Sequence, residues 1–286
     1  MSDGSASGAA WSASLARGSE AERRSWLAFA LTAADAADEV ARRWFRRDVE
    51  VRTKPDRSYV TAADTEIERL IRERIADAWP AHGVVGEEFG TERGAGEARW
   101  YIDPIDGTAN FVRGLPLFGL LLALEVGDEL QVGVVSMPAM EERWWAGRGL
   151  GAWAGGTGRR ADEPRRIATS SINALGDAHL LYGELDELTA PDGPTPGFRA
   201  LVDDVWRTRN FGDCWMYGLL AEGAADAVVE PDLNAWDLAG PMLVVEEAGG
   251  RWTNLDGGRS LEGRTVLATN GHLHEEVLAR LTRRSD

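Results

Sequence analysis

The stretch Trp100-Tyr101-Ile102-Asp103-Pro104-Ile105-Asp106-Gly107-Thr108-Ala109-Asn110-Phe111 sets an apolar run directly against two carboxylates three residues apart. Trp-Tyr-Ile fits a buried strand, and Pro104 has no amide to give to a sheet ladder, so the chain is expected to leave the sheet where the acids begin. Gly107 permits a tight turn or a close backbone approach to a ligand, and Thr108 and Asn110 add short polar groups. Two carboxylates crowded at a strand end repel each other unless a cation lies between them, and hard divalent cations, Mg²⁺ first, are the usual partners of such oxygen clusters. Taken alone, residues 103–108 also fit an Asx-type turn with solvated acids.

Bulk properties narrow the field. A chain of 286 residues, 44% of them hydrophobic, suffices for one large domain or two halves sharing a core. A net charge of −16 argues against a nucleic-acid partner or an anionic membrane surface, both of which need a basic face. The same charge would repel a phosphate ester unless bound metal inverted the local field. The single cysteine, Cys214, excludes an internal disulfide and suits a reducing compartment, and four scattered histidines do not make a zinc site. No basic segment followed by an apolar run opens the chain and no apolar stretch is long enough to span a bilayer, so the cytoplasm is the expected location.

Residues 1–18, rich in Ser, Gly and Ala, read as a mobile tail. Ser19 opens a helix in which Leu27, Leu31, Ala34, Val40, Ala41, Trp44 and Phe45 recur at helical spacing. A short strand over 49–53 is broken by Lys54-Pro55-Asp56, and 60–64 lead into a second helix with an Ile67, Leu70, Ile71, Ile75 and Trp79 stripe, stopped by Pro80. Asp64 thus falls near a helix start, where a carboxylate also simply suits the helix dipole. Glu87 and Glu88 sit between glycines after Val84-Val85; adjacent loop glutamates are ordinarily just solvated. Residues 118–126, 131–137 and 143–146 form a meander, and the glycine-dense 147–158 reads as turns, lacking the Lys-Ser/Thr of a phosphate-cradling loop.

A second α/β half is expected from a polar loop over 186–197, a helix over 198–204, a strand over 205–209, a helix over 213–222 and a strand over 225–230. The division is 19–165 and 166–286, with the boundary near 161–171. Asp237 heads an apolar helix, where it also fits a plain cap. A strand at 265–268 and a helix over 274–284 close the chain. Trp44, Trp79 and Trp236 among the twelve tryptophans are read as core, and Trp206 as core rather than as a stacking platform. His272 and His274, near the closing helix, are assigned no metal or catalytic partners and are placed on the surface.

Three stretches carry a family likeness. D-P-I-D-G-T-x-N-F after an apolar strand, T-x-x-D ending at Asp64 with G-E-E at 86–88, and W-D-x-A-G-x-x-x-x-x-x-E-A-G-G from Trp236 resemble the signatures of the inositol monophosphatase family. The resemblance covers most of the chain from about residue 20. It implies a layered αβαβα fold (α/β, α+β) and a metal-dependent, lithium-sensitive phosphomonoesterase acting on a small phosphate ester, usually as a homodimer. Carried over by position, Glu87, Asp103, the Ile105 carbonyl, Asp106 and Asp237 would hold two or three Mg²⁺ ions, with Asp103 bridging. Asp64 and Thr108 would orient the attacking water, with Glu87 also among the catalytic groups. The amides of Gly107 and Thr108 would cradle a phosphate oxygen, and Glu230 and Asp237 would border the leaving alcohol.

Substrate choice turns on one departure. Where inositol-specific relatives read Gly-Ser/Thr-Ala, this chain has Gly212-Asp213-Cys214. An added carboxylate suits a cationic amine by direct charge pairing. The stretches from Val205 and from Arg143 also resemble the histidinol-phosphatase branch, so histidinol phosphate, an intermediate of histidine synthesis, is the expected substrate. Asn210, Asp213 and Glu230 are its candidate readers, with Asp213 as a helix cap the alternative. Broad inositol monophosphatase activity is the second reading, and a non-catalytic binding module on the same fold the third. Against the third stands the intact set Asp64, Glu87, Asp103, Asp106, Thr108 and Asp237. No basic cluster for a second phosphate or a nucleotide is seen.

Overall fold

Ser19 starts the first helix with a capping box: its hydroxyl accepts the Glu22 amide and the Glu22 carboxylate accepts the Ser19 amide. The computed structural model describes residues 18–47, 50–55, 59–190 and 192–283. Residues 1–17 of the expected tail, and Val49, Asp56 and Arg284 at the edges of expected elements, lie outside these. Helix α1 (Glu20–Trp44) buries Trp26, Ala30, Ala34, Ala37 and Ala41. After a hairpin of β1 (Val51–Thr53) and β2 (Tyr59–Thr61), helix α2 (Ala62–Ala78) packs beside it through Ile67, Ile71 and Ile75. It ends before Pro80, whose ring disfavours a helical residue in front of it.

Strands β3 (Gly83–Gly86), β4 (Gly90–Glu92) and β5 (Ala98–Asp106) precede the short helix α3 (Thr108–Arg113). The meander β6 (Gly119–Val126), β7 (Glu129–Met137), β8 (Glu142–Gly147), β9 (Gly151–Gly156) and β10 (Arg165–Arg166) completes an eight-stranded sheet of order β10-β9-β8-β7-β6-β5-β3-β4. β6 and β7 are apolar along most of their length because both faces are covered. Leu120, Leu122, Leu124, Val132 and Val134 pack with α1 and α2, while Leu121, Ala123, Val135 and Met137 point into a second core. A buried ion pair ties α1 to the sheet: Asp38 Oδ2 accepts from Arg143 Nη2 (2.8 Å) and Ser136 Oγ (2.9 Å).

The chain then builds β11 (His179–Tyr182), α4 (Leu185–Leu188), α5 (Phe198–Asp204), β12 (Arg207–Arg209), α6 (Trp215–Ala221), β13 (Ala227–Pro231), α7 (Ala235–Glu247), β14 (Arg251–Thr253), β15 (Thr265–Thr269) and α8 (His274–Thr282). The five strands pair in the order β12-β11-β13-β15-β14. α6 and α7 fill the space between the two sheets, and α5 and α8 close the outer face of the smaller one. The result is the expected αβαβα stack.

Several local expectations are corrected. β5 does not stop at Asp103: it continues to Asp106, with Asp103 opposite Leu121 and Asp106 opposite Gly119, so an extra residue bulges at Pro104-Ile105. Residues 147–158 are not all turns. β9 pairs on both sides and buries Ala152 and Ala154, small residues whose alternation is hard to see among glycines. The loop over 186–197 contains the end of α4 and buries Leu188 and Thr195. Trp206 is not core: it is 63% exposed, edge-on to His179 just outside β12. His274 is fully buried rather than superficial, its two ring nitrogens bonded to Thr253 and Thr269 hydroxyls, because α8 turns its first residue inward against β14 and β15.

Candidate active site

The bulge in β5 turns both of its acids towards the head of α7, where Asp103, Asp106 and Asp237 bring one oxygen each within 4.8 Å of one another. An Asx turn does form, since the Ile105 amide donates to Asp103 Oδ1 (3.0 Å), but the carboxylate is buried, not solvated. Asp106 Oδ2 accepts the Cys214 amide at 2.6 Å, which ties the strand end to the start of α6. Burial first, and then the surrounding acids, hold the carboxyls of Asp103 and Asp106 well above the usual range. Asp237 is pushed up to about 6 by burial, partly offset by its bonds to Asn234. Such a group of acids is stabilised by a cation.

Asp64 and Asp237 are placed by the same local device. Each is the third residue of its helix and closes a capping box, Asp64 with Thr61 on α2 and Asp237 with Asn234 on α7. In each the box occupies Oδ2, at 2.8 Å from the Thr61 amide and 2.7 Å from the Asn234 amide. Capping and a site role are therefore compatible, since one oxygen serves the helix and the other remains. Asp64 Oδ1 lies 3.4 Å from Thr108 Oγ1, and Thr108 also donates to the Ile105 carbonyl (2.9 Å). Burial lifts Asp64 to about 6. Gly107, at φ 81°, turns the chain into α3; a side chain there would also meet Asp213 Oδ2, 2.8 Å from where its Cβ would lie.

Glu87 is not among the three acids whose oxygens converge, but its charge adds to the repulsion on Asp103, Asp64 and Asp237. It is bonded to Lys54 Nζ at 2.7 Å, which bonds Glu88 at the same distance. Burial opposes the Lys54 charge, but the two glutamates more than offset it and hold the ammonium above its usual range. Sequence reasoning treated Lys54 only as part of a strand break. A compositional signal was there: Lys54 is the one lysine among 31 basic residues.

Asp213 takes a left-handed backbone conformation (φ 51°) and accepts Asn110 Nδ2 at 2.7 Å. It does not cap α6, whose first turn has no side-chain cap. Asp213 is pushed up to about 6 by burial and by Glu184, a residue the sequence reading did not single out. Glu230, raised to about 8 chiefly by burial, is held by the Tyr217 hydroxyl at 2.5 Å. Asn210 is not drawn to either acid: it is exposed and donates to the Gly183 carbonyl.

A sequence model of the inositol monophosphatase family matches residues 22–286. The chain is 46% identical to histidinol-phosphatase of Mycobacterium tuberculosis, over 89% of this chain and 97% of that protein. It is 43% identical to histidinol-phosphatase of Streptomyces coelicolor, over 90% and 97%. Among solved structures, the extragenic suppressor protein suhB from Bartonella henselae superposes with a TM-score of 0.81 at 28% identity, covering 91% of this chain and 99% of that one. With its three motifs in order on the layered fold, the chain belongs to the inositol monophosphatase family and is a phosphoric monoester hydrolase.

Proposed function

We propose that the protein hydrolyses histidinol phosphate to histidinol and phosphate with the support of divalent cations, Mg²⁺ in the first place. The observation that carries the substrate is the placement of Asp213: a carboxylate over Gly107, held by Asn110 rather than used as a cap, with Glu184 and Glu230 in the same field. An alcohol can donate a hydrogen bond to such a carboxylate but cannot neutralise it, whereas a primary ammonium does both. The relatives named histidinol-phosphatase support the same choice.

The residues fit a hard cation. Asp103, Asp106 and Asp237 offer only oxygen, at the mutual distances of a shared site, and their repulsion is what a cation would relieve. Glu87, through the oxygen not bonded to Lys54, and the Ile105 carbonyl, beside its bond from Thr108, would add donors. Bound there, the cations would neutralise ester charge and acidify water. Thr108 and Asp64 position the attacking water between them, the Thr108 hydroxyl oxygen and Asp64 Oδ1 each accepting one of its protons while the hydroxyl proton stays on the Ile105 carbonyl. The amides that open α3 hold a phosphate oxygen. Asp213 and Glu230 hold the amino alcohol so that its ester oxygen leaves opposite the water. A homodimer in the cytoplasm is the setting this reading includes.

The test is Mg²⁺-dependent phosphate release from histidinol phosphate and inositol 1-phosphate side by side, with Asp106→Asn as the control. A preference in kcat/KM of about a hundredfold for histidinol phosphate, roughly 2.7 kcal/mol of transition-state discrimination, is expected. The reverse preference returns the protein to an inositol monophosphatase.

A further inference from the structure

Glu68 lies on α2 one turn beyond Asp64 and is completely buried, yet it takes no part in the chemistry above. Its carboxylate does not point at the acid cluster. It points at the turn between β3 and β4, the three residues Glu87-Glu88-Phe89. Oε2 accepts the Glu88 amide at 2.7 Å, and Oε1 accepts the Phe89 amide at 3.2 Å and Arg72 Nε at 2.8 Å. Arg72 balances the charge and also donates to the Gly90 carbonyl, closing the far end of the same turn. The near end is closed by β5: the Glu87 amide donates to the Ile102 carbonyl at 3.2 Å, one residue before Asp103.

The backbone around Glu87 is thus clamped on both sides. Three successive amides, at residues 87, 88 and 89, are satisfied by one carbonyl of β5 and one carboxylate of α2. Gly86 is part of the fit. A Cβ there would lie 2.1 Å from Glu68 Oε1 and 2.5 Å from its carboxyl carbon, so only glycine lets the carboxylate reach under the turn. Hydrogen bonds to charged groups are the stronger kind, and a shell that orients a ligand sets how well it holds a metal.

We propose that Glu68 is a positioning residue that fixes Glu87 towards the metal cluster and locks its spacing to Asp64 and Asp103. The inference rests on the reading of Glu87 as a metal ligand. Glu68→Gln keeps the size but turns an amide NH₂ towards a backbone N–H. Gly86→Ala keeps the carboxylate but displaces it. Both are expected to weaken Mg²⁺ binding, titrated calorimetrically without substrate, by about tenfold or more, the range seen when groups behind metal ligands are changed. In turnover, the Mg²⁺ concentration for half-maximal rate rises by the same factor, while kcat at saturating Mg²⁺ stays within about threefold. Asp38→Asn, which breaks the buried ion pair between α1 and the sheet, controls for stability and leaves Mg²⁺ affinity unchanged. A wild type that takes up no Mg²⁺ overturns both the metal reading and this one. Saturable wild-type binding with either folded variant within twofold of it, or an equal loss in Asp38→Asn, overturns the role of Glu68 alone.

Discussion

Replacing Asp213 by asparagine removes one charge and almost nothing else. The residue sits at φ 51°, a conformation asparagine adopts readily, whereas alanine there would add about 1 kcal/mol of backbone strain. The amide oxygen of the substituted side chain can still accept from Asn110, which in the wild type bonds Asp213 Oδ2 at 2.7 Å. What disappears is the ionic partner for an ammonium. A hydrogen bond to a charged group contributes on the order of 1.5–3 kcal/mol, which translates to about a ten- to hundredfold rise in KM. Because burial and Glu184 hold Asp213 at about 6, the comparison belongs at a pH well above that value, where the wild-type carboxylate is ionised. Initial rates are measured with histidinol phosphate and inositol 1-phosphate. The reasoning requires KM for the amine to rise by that factor, kcat to move by less than about threefold, and the inositol ester to be unaffected or improved. A parallel fall in kcat and kcat/KM, or equal losses with both esters, would refute the role of Asp213 as a substrate reader.

Asp106→Asn should separate stability from function. Removing one of the mutually repelling buried carboxyls is expected to raise Tm in EDTA by roughly 2 °C, equivalent to about 1 kcal/mol in a chain of this size. The Mg²⁺-induced rise of the wild type, about 2.7 kcal/mol at a hundred times Kd, should vanish with activity; a variant that still gains stability from Mg²⁺ contradicts the assignment. His274 is held down to about 4, first by burial and then by Arg251, against about 6.5 unfolded. Its neutral form therefore favours the fold fully above pH 6.5, and that contribution is lost as pH falls towards 4, with a slope of at most about 1.4 kcal/mol per pH unit. The stability difference between wild type and His274→Gln, followed by thermal melts from about pH 7 to about pH 5, should shrink in that direction; a difference independent of pH removes His274 as the cause.

Elements that depend on near neighbours were legible in the chain. The capping of α1 by Ser19, the isoleucine stripe of α2 and the two-sided apolar run of β6 all follow from residues within a few positions of one another. Asp64 and Asp237 were legible as first-turn acids and Asp106 as a strand-end acid, since local backbone geometry fixes their direction; that they meet was legible only through the family likeness. β9 was not, because alanine and glycine carry little strand preference and its place depends on β8 beside it. His274 and Trp206 exchanged places with expectation, since burial of a single ring depends on what the far chain lays over it.

By itself the sequence determined the elements, the order of the motifs and the two acids that close β5, through periodicity and turn chemistry, while the layers and the part of Asp237 followed from the family likeness of those motifs. Only the tertiary structure decided that Lys54 neutralises Glu87 across 33 residues, that Asn110 holds Asp213 across 103, and that the Cys214 amide reaches Asp106 across 108. It alone turned Glu68 from a helix acid into the clamp under Glu87. Hydrogen bonds act over about 3 Å of space, whatever the separation along the chain, so a partner this remote leaves no period or spacing by which to find it.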